Sequence, residues 1–163
     1  MGTKAREIAG VDVPELLKML NKAYADEWLA YYQYWVGAKV AVGRMRGIIA
    51  KELEEHAGEE LEHATKLTER IITLGGTPLL TPQDLIKESE CGYAAPSDPL
   101  TKKLLEQNIK GEQCAIMTYK KILDYVSGKD PVTYHLVLDI LEDEIEHEED
   151  LEAMLADMQT PVK

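Results

Sequence analysis

Phenylalanine is absent from this 163-residue sequence, so Leu, Ile, Val, Tyr and Trp must fill any interior. Cysteine is nearly so: Cys91 and Cys114 are too few for a disulfide scaffold, and they form no Cys-x-x-Cys motif. No stretch approaches the roughly 20 apolar residues that a membrane span needs. Met1 to Gly10 also lacks the apolar core of a signal peptide. These absences predict a cytoplasmic chain with no membrane partner. Basic residues are the minority, 18 against 30 acidic, for a net charge of −12. Phosphate backbones are bound by clusters of Lys and Arg, and the N-terminus offers only Lys4 and Arg6. We therefore expect no nucleic-acid partner. Such a surface concentrates divalent cations instead.

What is present reads as helix. The length suits one domain, residues 1–163, large enough to bury roughly two-thirds of its unfolded surface. Four long amphipathic stretches are predicted. The first runs from about Val13 to Val42, behind Asp12 as N-cap and Pro14 just inside, with the stripe Leu16, Leu20, Tyr24, Tyr31, Tyr34 and Ala38. The second, from near Arg44 to Leu74, stops at Gly75-Gly76. From Gly75 to Pro99 four prolines and three glycines break any long helix, although Gln83 to Glu88 suits a short one. The third helix is expected from about Asp98 to Ser127. The fourth follows the turn Gly128-Lys129-Asp130-Pro131 and ends near Met158. The expected fold is all-α: an antiparallel four-helix bundle with a long crossover, about residues 75–99, between the second and third long helices.

Each stripe carries a titratable group near its middle. The first has Glu27, the second Glu60 and His63, the third Glu112, and the fourth Glu144 and His147. The pattern repeats: Glu27 and Glu112 stand 85 apart (112 − 27), Glu60 and Glu144 84 apart (144 − 60), and His63 and His147 84 apart (147 − 63). Residues three apart share a helix face, so each Glu-x-x-His pair can serve one metal region. Four ionised carboxylates facing one another in an apolar interior are costly and repel each other. Two divalent cations neutralise them, with neutral imidazoles completing the ligand set. Oxygen and nitrogen donors together suit iron or manganese better than structural zinc.

Other groups lie near this set. His56, one turn before Glu60, is either a core histidine, a neighbour of the ligands or a group on the iron path. Tyr34 and Tyr119 sit seven residues after Glu27 and Glu112. Their hydroxyls could hydrogen-bond site carboxylates and one could donate an electron, but plain core packing is the expected role. Glu55, Glu59, Glu62, Glu142, Glu146, Glu148 and Glu149 lie off the stripes and read mostly as a solvated face.

The paired motifs are those of dinuclear carboxylate bundles, and the sequence resembles the ferritin superfamily over essentially its whole length. It is most similar to the archaeal-type Dps-like proteins, or thioferritins. The stretches that carry this likeness are Gly111-Glu112-Gln113-Cys114-Ala115, Gly128-Lys129-Asp130-Pro131 through Tyr134, and Ile140 to Glu149, with Cys91 matching the family's other cysteine. The resemblance implies two iron ions per subunit, replaceable by manganese or zinc. It makes Glu60 and Glu144 bridging ligands, Glu27 with His63 terminal on one ion, and Glu112 with His147 terminal on the other. It further implies ferroxidase activity, with iron(II) and hydrogen peroxide as substrates, and self-assembly into a hollow homo-oligomeric shell, a dodecamer, that stores ferric mineral. Where bacterioferritins commonly place a haem-ligating Met, this chain has Leu61, so no haem is expected. Cys114 lies about 200° around its helix from Glu112, facing away from the metals, and a crossover passing outside would bring Cys91 to it. The pair is then a disulfide, a redox switch or two free thiols. A rubrerythrin-like peroxidase without iron storage is the alternative reading.

Overall fold

The computed structural model describes residues 3–160. It contains six helices among them: α1 (Thr3–Glu7), α2 (Val13–Val40), α3 (Arg46–Thr73), α4 (Pro82–Glu88), α5 (Thr101–Val126) and α6 (Pro131–Gln159). The four long ones form the expected bundle, with α2 packed on α3 and α5 on α6. The starts of α2 and α6 are set locally. The Asp12 carboxylate accepts the Glu15 N–H at 2.8 Å, and Asp130 accepts the N–H groups of Val132 and Thr133, each at 3.1 Å. Helix α3 has no such cap; Met45 enters it with φ of 59°.

Gly75 stops α3 at a φ of +82°, which favours glycine. At Gly76 a side chain would come within 2.5 Å of Leu17 near the start of α2. The crossover therefore leaves from that end of the bundle. It returns to the other end, where Val42 N–H donates to Pro99 O at 2.8 Å and Thr101 N–H donates to Val42 O at 2.9 Å. Traversing the full bundle length makes α5 run parallel to α3. The same extended pairing, with Pro99 inside it, delays α5 to Thr101, three residues after the expected start. Within the crossover, α4 forms behind Thr81 as N-cap. The short α1 has no counterpart in the sequence reading; none of its residues is buried.

The apolar core is split. One part gathers Leu16, Leu20, Leu67, Ile71, Ile122 and Ile140 with their neighbours, the other Ile49, Leu53, Leu104, Leu105 and Leu151 with theirs. Glu27, Glu60, Glu112 and Glu144 lie between these two layers along their helices. Among the described residues, no helix is long and apolar enough to cross a membrane.

Candidate metal centre

The six residues of the repeated pattern come together. Glu27, Glu60, His63, Glu112, Glu144 and His147 are each exposed by 3 % or less. They form two overlapping sets: Glu27, Glu60, His63 and Glu144 in one, Glu60, Glu112, Glu144 and His147 in the other. In each set, one ligand atom per residue lies within 4.8 Å of all the rest. Glu60 and Glu144 belong to both. Helix periodicity explains the convergence, since each of the four long helices turns a glutamate inward at the same level, and α3 and α6 add a histidine three residues on, on the same face.

Both imidazoles point Nδ1 inward. His63 Nδ1 lies 3.1 Å from Glu144 Oε1, 3.4 Å from Glu27 Oε2 and 3.5 Å from Glu60 Oε2. His147 Nδ1 lies 3.5 Å from Glu60 Oε1 and 3.8 Å from Glu144 Oε2. The outer nitrogens are held by carboxylates: His63 Nε2 meets Asp143 at 3.0 Å and His147 Nε2 meets Glu59 at 2.8 Å. A carboxylate behind an imidazole orients the ring and raises its basicity toward a metal. The sequence reading missed both partners, placing Glu59 on the solvated face and not singling out Asp143. A signal was there, because Glu59 and Asp143 also stand 84 apart (143 − 59), each directly before a shared glutamate.

Tyr34 and Tyr119 do more than pack. Both are fully buried, and each hydroxyl donates to a carboxylate of the opposite hairpin: Tyr34 to Glu112, and Tyr119 to Glu27. His56 is buried too, stacked on His147 with ring centroids 4.1 Å apart. Burial and the neighbouring His147 push its pKa down to about 4.

The electrostatics call for positive charge at the centre. Burial, with the Glu60 and Glu144 charges, holds the Glu27 carboxyl well above its usual range; burial, Glu144 and Glu60 do the same to Glu112. Burial disfavours a charged imidazole, yet the glutamates around His63 outweigh it and push that ring far upward. Glu144 and Glu60 push His147 up to about 12. In the ion-free chain, protons must supply what cations would. Hydrogen bonding leaves the same gap: Glu27 Oε2, Glu60 Oε1, both Glu144 oxygens and both inward Nδ1 atoms are buried without a partner. Orphaned donors and acceptors facing one point fit a bound metal.

A cavity of about 480 Å³ opens onto Glu27, Glu60, Glu112 and Glu144 from the side away from the histidines. Cys91 and Asn108 also line it. Cys91 is disulfide-bonded to Cys114, with the Cα atoms 5.7 Å apart. Asp26, beside Glu27 in sequence, holds this part of the crossover by accepting the Ser89 hydroxyl and, at 2.9 Å, the Cys91 N–H.

Comparison with known proteins agrees with this architecture. The ferritin-like domain family matches residues 17–160. The DNA protection during starvation protein of Pyrococcus furiosus is 38 % identical over 151 residues, 91 % of this chain and 81 % of that protein. A bacterioferritin of Rhodobacter capsulatus is 29 % identical over 143 residues, 87 % of this chain and 83 % of its own length. Among solved structures, the dodecameric, bacterioferritin-related thioferritin of Bacteroides fragilis superposes with a TM-score of 0.95 at 42 % identity, covering 96 % of this chain and 95 % of that one. With the crossover bundle, the doubled Glu-x-x-His motif and these likenesses in agreement, the chain belongs to the ferritin superfamily, on its Dps-like side.

Proposed function

We propose that this protein is a mini-ferritin that oxidises iron(II) at the dinuclear centre and stores the ferric product inside a hollow homododecamer. The observation that carries this reading is the set of buried carboxylate and imidazole atoms left without hydrogen-bond partners at one point of the bundle. Glu60 and Glu144, common to both sets, would be shared between two ions, and Glu27 with His63 and Glu112 with His147 would complete the two positions. The mixed oxygen and nitrogen donors suit iron or manganese, and the likeness to ferritin-like proteins makes iron the metal of this reading, with manganese or zinc able to replace it.

When bound, two iron(II) ions supply one electron each, the number that reduces hydrogen peroxide to two waters with two protons. The chain's own residues do the rest. Asp143 and Glu59 keep the inner nitrogens of His63 and His147 aimed at the ions. Tyr119 and Tyr34 each occupy one oxygen of a terminal glutamate, leaving the other to bind. The cavity behind Cys91 and Asn108 gives a small oxidant a way to the carboxylates. The shell is supported by the likeness to the dodecameric Bacteroides fragilis protein. The acidic surface of a cytoplasmic protein would draw iron(II) in, and we include neither haem nor nucleic acid among the partners.

The test is native mass by light scattering after incubation with iron(II) and limiting peroxide. A dodecamer-sized particle that takes up far more than two ions per chain supports the reading. A dimer or tetramer that stops at two per chain overturns it and leaves a rubrerythrin-like peroxidase.

A further inference from the structure

The cavity over the four glutamates is walled in part by the crossover, through Cys91, Gly92 and Ala94. Amide side chains fix this wall. Gln33 on α2 accepts the Ala94 N–H through Oε1 at 2.9 Å, and Gln107 on α5 donates to the Ala94 carbonyl at 2.7 Å. A backbone N–H can only donate, so the Gln33 amide has one orientation. Its Nε2 then donates to Asn108 Oδ1 at 2.7 Å. That bond orients Asn108 in turn: Oδ1 is taken, and Nδ2 is the end left over. Asn108 is 1 % exposed, lines the cavity and stands one turn before Glu112 on α5. Its Nδ2 is buried without a hydrogen-bond partner. A buried N–H without an acceptor is costly, and in a cavity wall it marks where a ligand would supply one.

We propose that Asn108 Nδ2 donates to hydrogen peroxide in this cavity, holding it against the carboxylates and favouring it over dioxygen. This inference deepens the ferroxidase reading above and rests on it. The same cavity is lined by Glu27, Glu60, Glu112 and Glu144, which repel anions and accept hydrogen bonds. Each carboxylate oxygen has two lone pairs, so one that already holds an ion or a tyrosine hydroxyl still accepts. The wall adds an amide donor. A small neutral molecule that both donates and accepts is therefore the ligand that fits. Hydrogen peroxide has an O–H and lone pairs on both oxygens, so it can bond carboxylate and amide at once. Dioxygen has no O–H and is a poor acceptor, so the same wall gives it little. The chain from Ala94 through Gln33 holds the Asn108 donor in place before any oxidant arrives.

The experiment has two arms, both on the whole protein. In the first, crystals loaded with zinc(II), which peroxide does not oxidise, are compared with and without hydrogen peroxide. The expected result is density for a pair of bonded oxygens beside Asn108 Nδ2 in the peroxide crystals alone. A single water there in both crystals overturns the proposal, as does peroxide bound only elsewhere in the cavity. The second arm compares iron(II) oxidation by peroxide and by dioxygen in the unaltered chain, Asn108→Leu and Asn108→Ser. Asn108→Leu removes the donor and should raise the peroxide KM about tenfold, with a smaller change in kcat. Asn108→Ser keeps a donor and should recover part of the loss. The preference for peroxide over dioxygen should fall in step with the rise in KM. Equal losses with both oxidants, or a loss in kcat alone, would make Asn108 structural and overturn the proposal. If neither variant folds, the crystals decide. Peroxide at Asn108 in a chain that oxidises no iron(II) would uphold the subsite while counting against the function proposed above. An active chain with no peroxide at Asn108 would do the reverse.

Discussion

Two clusters of charge are buried in this bundle, and they are built on opposite plans. Near the end of α3, Arg70 donates from Nη2 to Asp130 Oδ2 at 2.7 Å and from Nε to Thr133 Oγ1 at 2.8 Å. Asp130 also caps α6 through its other oxygen. Between the two apolar layers, Glu60, Glu144 and the two histidines keep atoms with no partner. The first cluster is complete as folded. The second is complete only when something positive arrives. A fold retains unsatisfied buried groups where function supplies the missing partner, so the difference separates a structural ion pair from a binding site more sharply than burial does.

The largest expected effect breaks the complete cluster. Asp130→Ala leaves the Arg70 guanidinium buried and unpaired, 6 % exposed, and removes the α6 cap. It should cost about 3–5 kcal/mol of unfolding free energy. In the same ion-free protein, Glu144→Gln should cost clearly less, because the repulsion it relieves with Glu27 and Glu112 offsets the loss of its contacts with His63 and His147. Denaturant unfolding of both variants checks the contrast, and equal losses would erase the distinction drawn here.

The disulfide comes next. Cys91–Cys114 closes a loop with a sequence separation of 23, for which the chain-entropy account gives about 3 kcal/mol. Cys114→Ser should lower unfolding free energy by that order. Its effect belongs with the charged layer, because Cys91 lines the cavity over the glutamates. Iron(II) oxidation rates should therefore move with it, whereas for Asp130→Ala they should change only as far as the fold is lost.

A smaller effect separates the carboxylates behind the histidines from those in front. Asp143→Asn or Glu59→Gln should weaken metal binding by about 10–100-fold, the usual range for such supporting partners. Stability of the ion-free chain should stay within about 0.5 kcal/mol, because both groups lie at the surface. Metal titration alongside thermal unfolding reads both. Loss of stability without loss of affinity would make the two residues structural.

The inward-facing residues were legible in the sequence because each of them is a property of one helix: a polar position on an apolar stripe, repeated at one separation. The four long helices were legible for the same reason, and the Asp12 cap and the turn Gly128-Lys129-Asp130-Pro131 placed two of the starts closely. What escaped depends on pairs of elements. Glu59 looks solvated on α3 alone, and only the approach of α6 gives it His147 to hold. Tyr34 lies along the face of Glu27, yet its hydroxyl reaches Glu112 on the other hairpin. The start of α5 followed from a backbone pairing between Val42 and the crossover, which no periodicity encodes. Arg70 drew no notice, since its meaning is supplied by Asp130 on another helix.

The smallest effect is in the pH dependence of the complete cluster. Burial alone would raise the Asp130 carboxyl, but the hydroxyl and N–H of Thr133, together with Arg70, outweigh it and hold the group below its ordinary 3.8. A carboxyl depressed in the folded state binds a proton more readily when unfolded. Its stabilisation is therefore full above the ordinary value and is lost as pH falls through the folded one. Ion-free protein should lose stability across that acid window, and Asp130→Asn should flatten this part of the curve while lowering it at neutral pH. Unfolding series from neutral to acid pH, run on both proteins without metal, measure the difference directly. If Asp130→Asn keeps the same acid slope, Asp130 is not the group responsible, and the self-sufficient character assigned to the Arg70 cluster would have to be argued from its geometry alone.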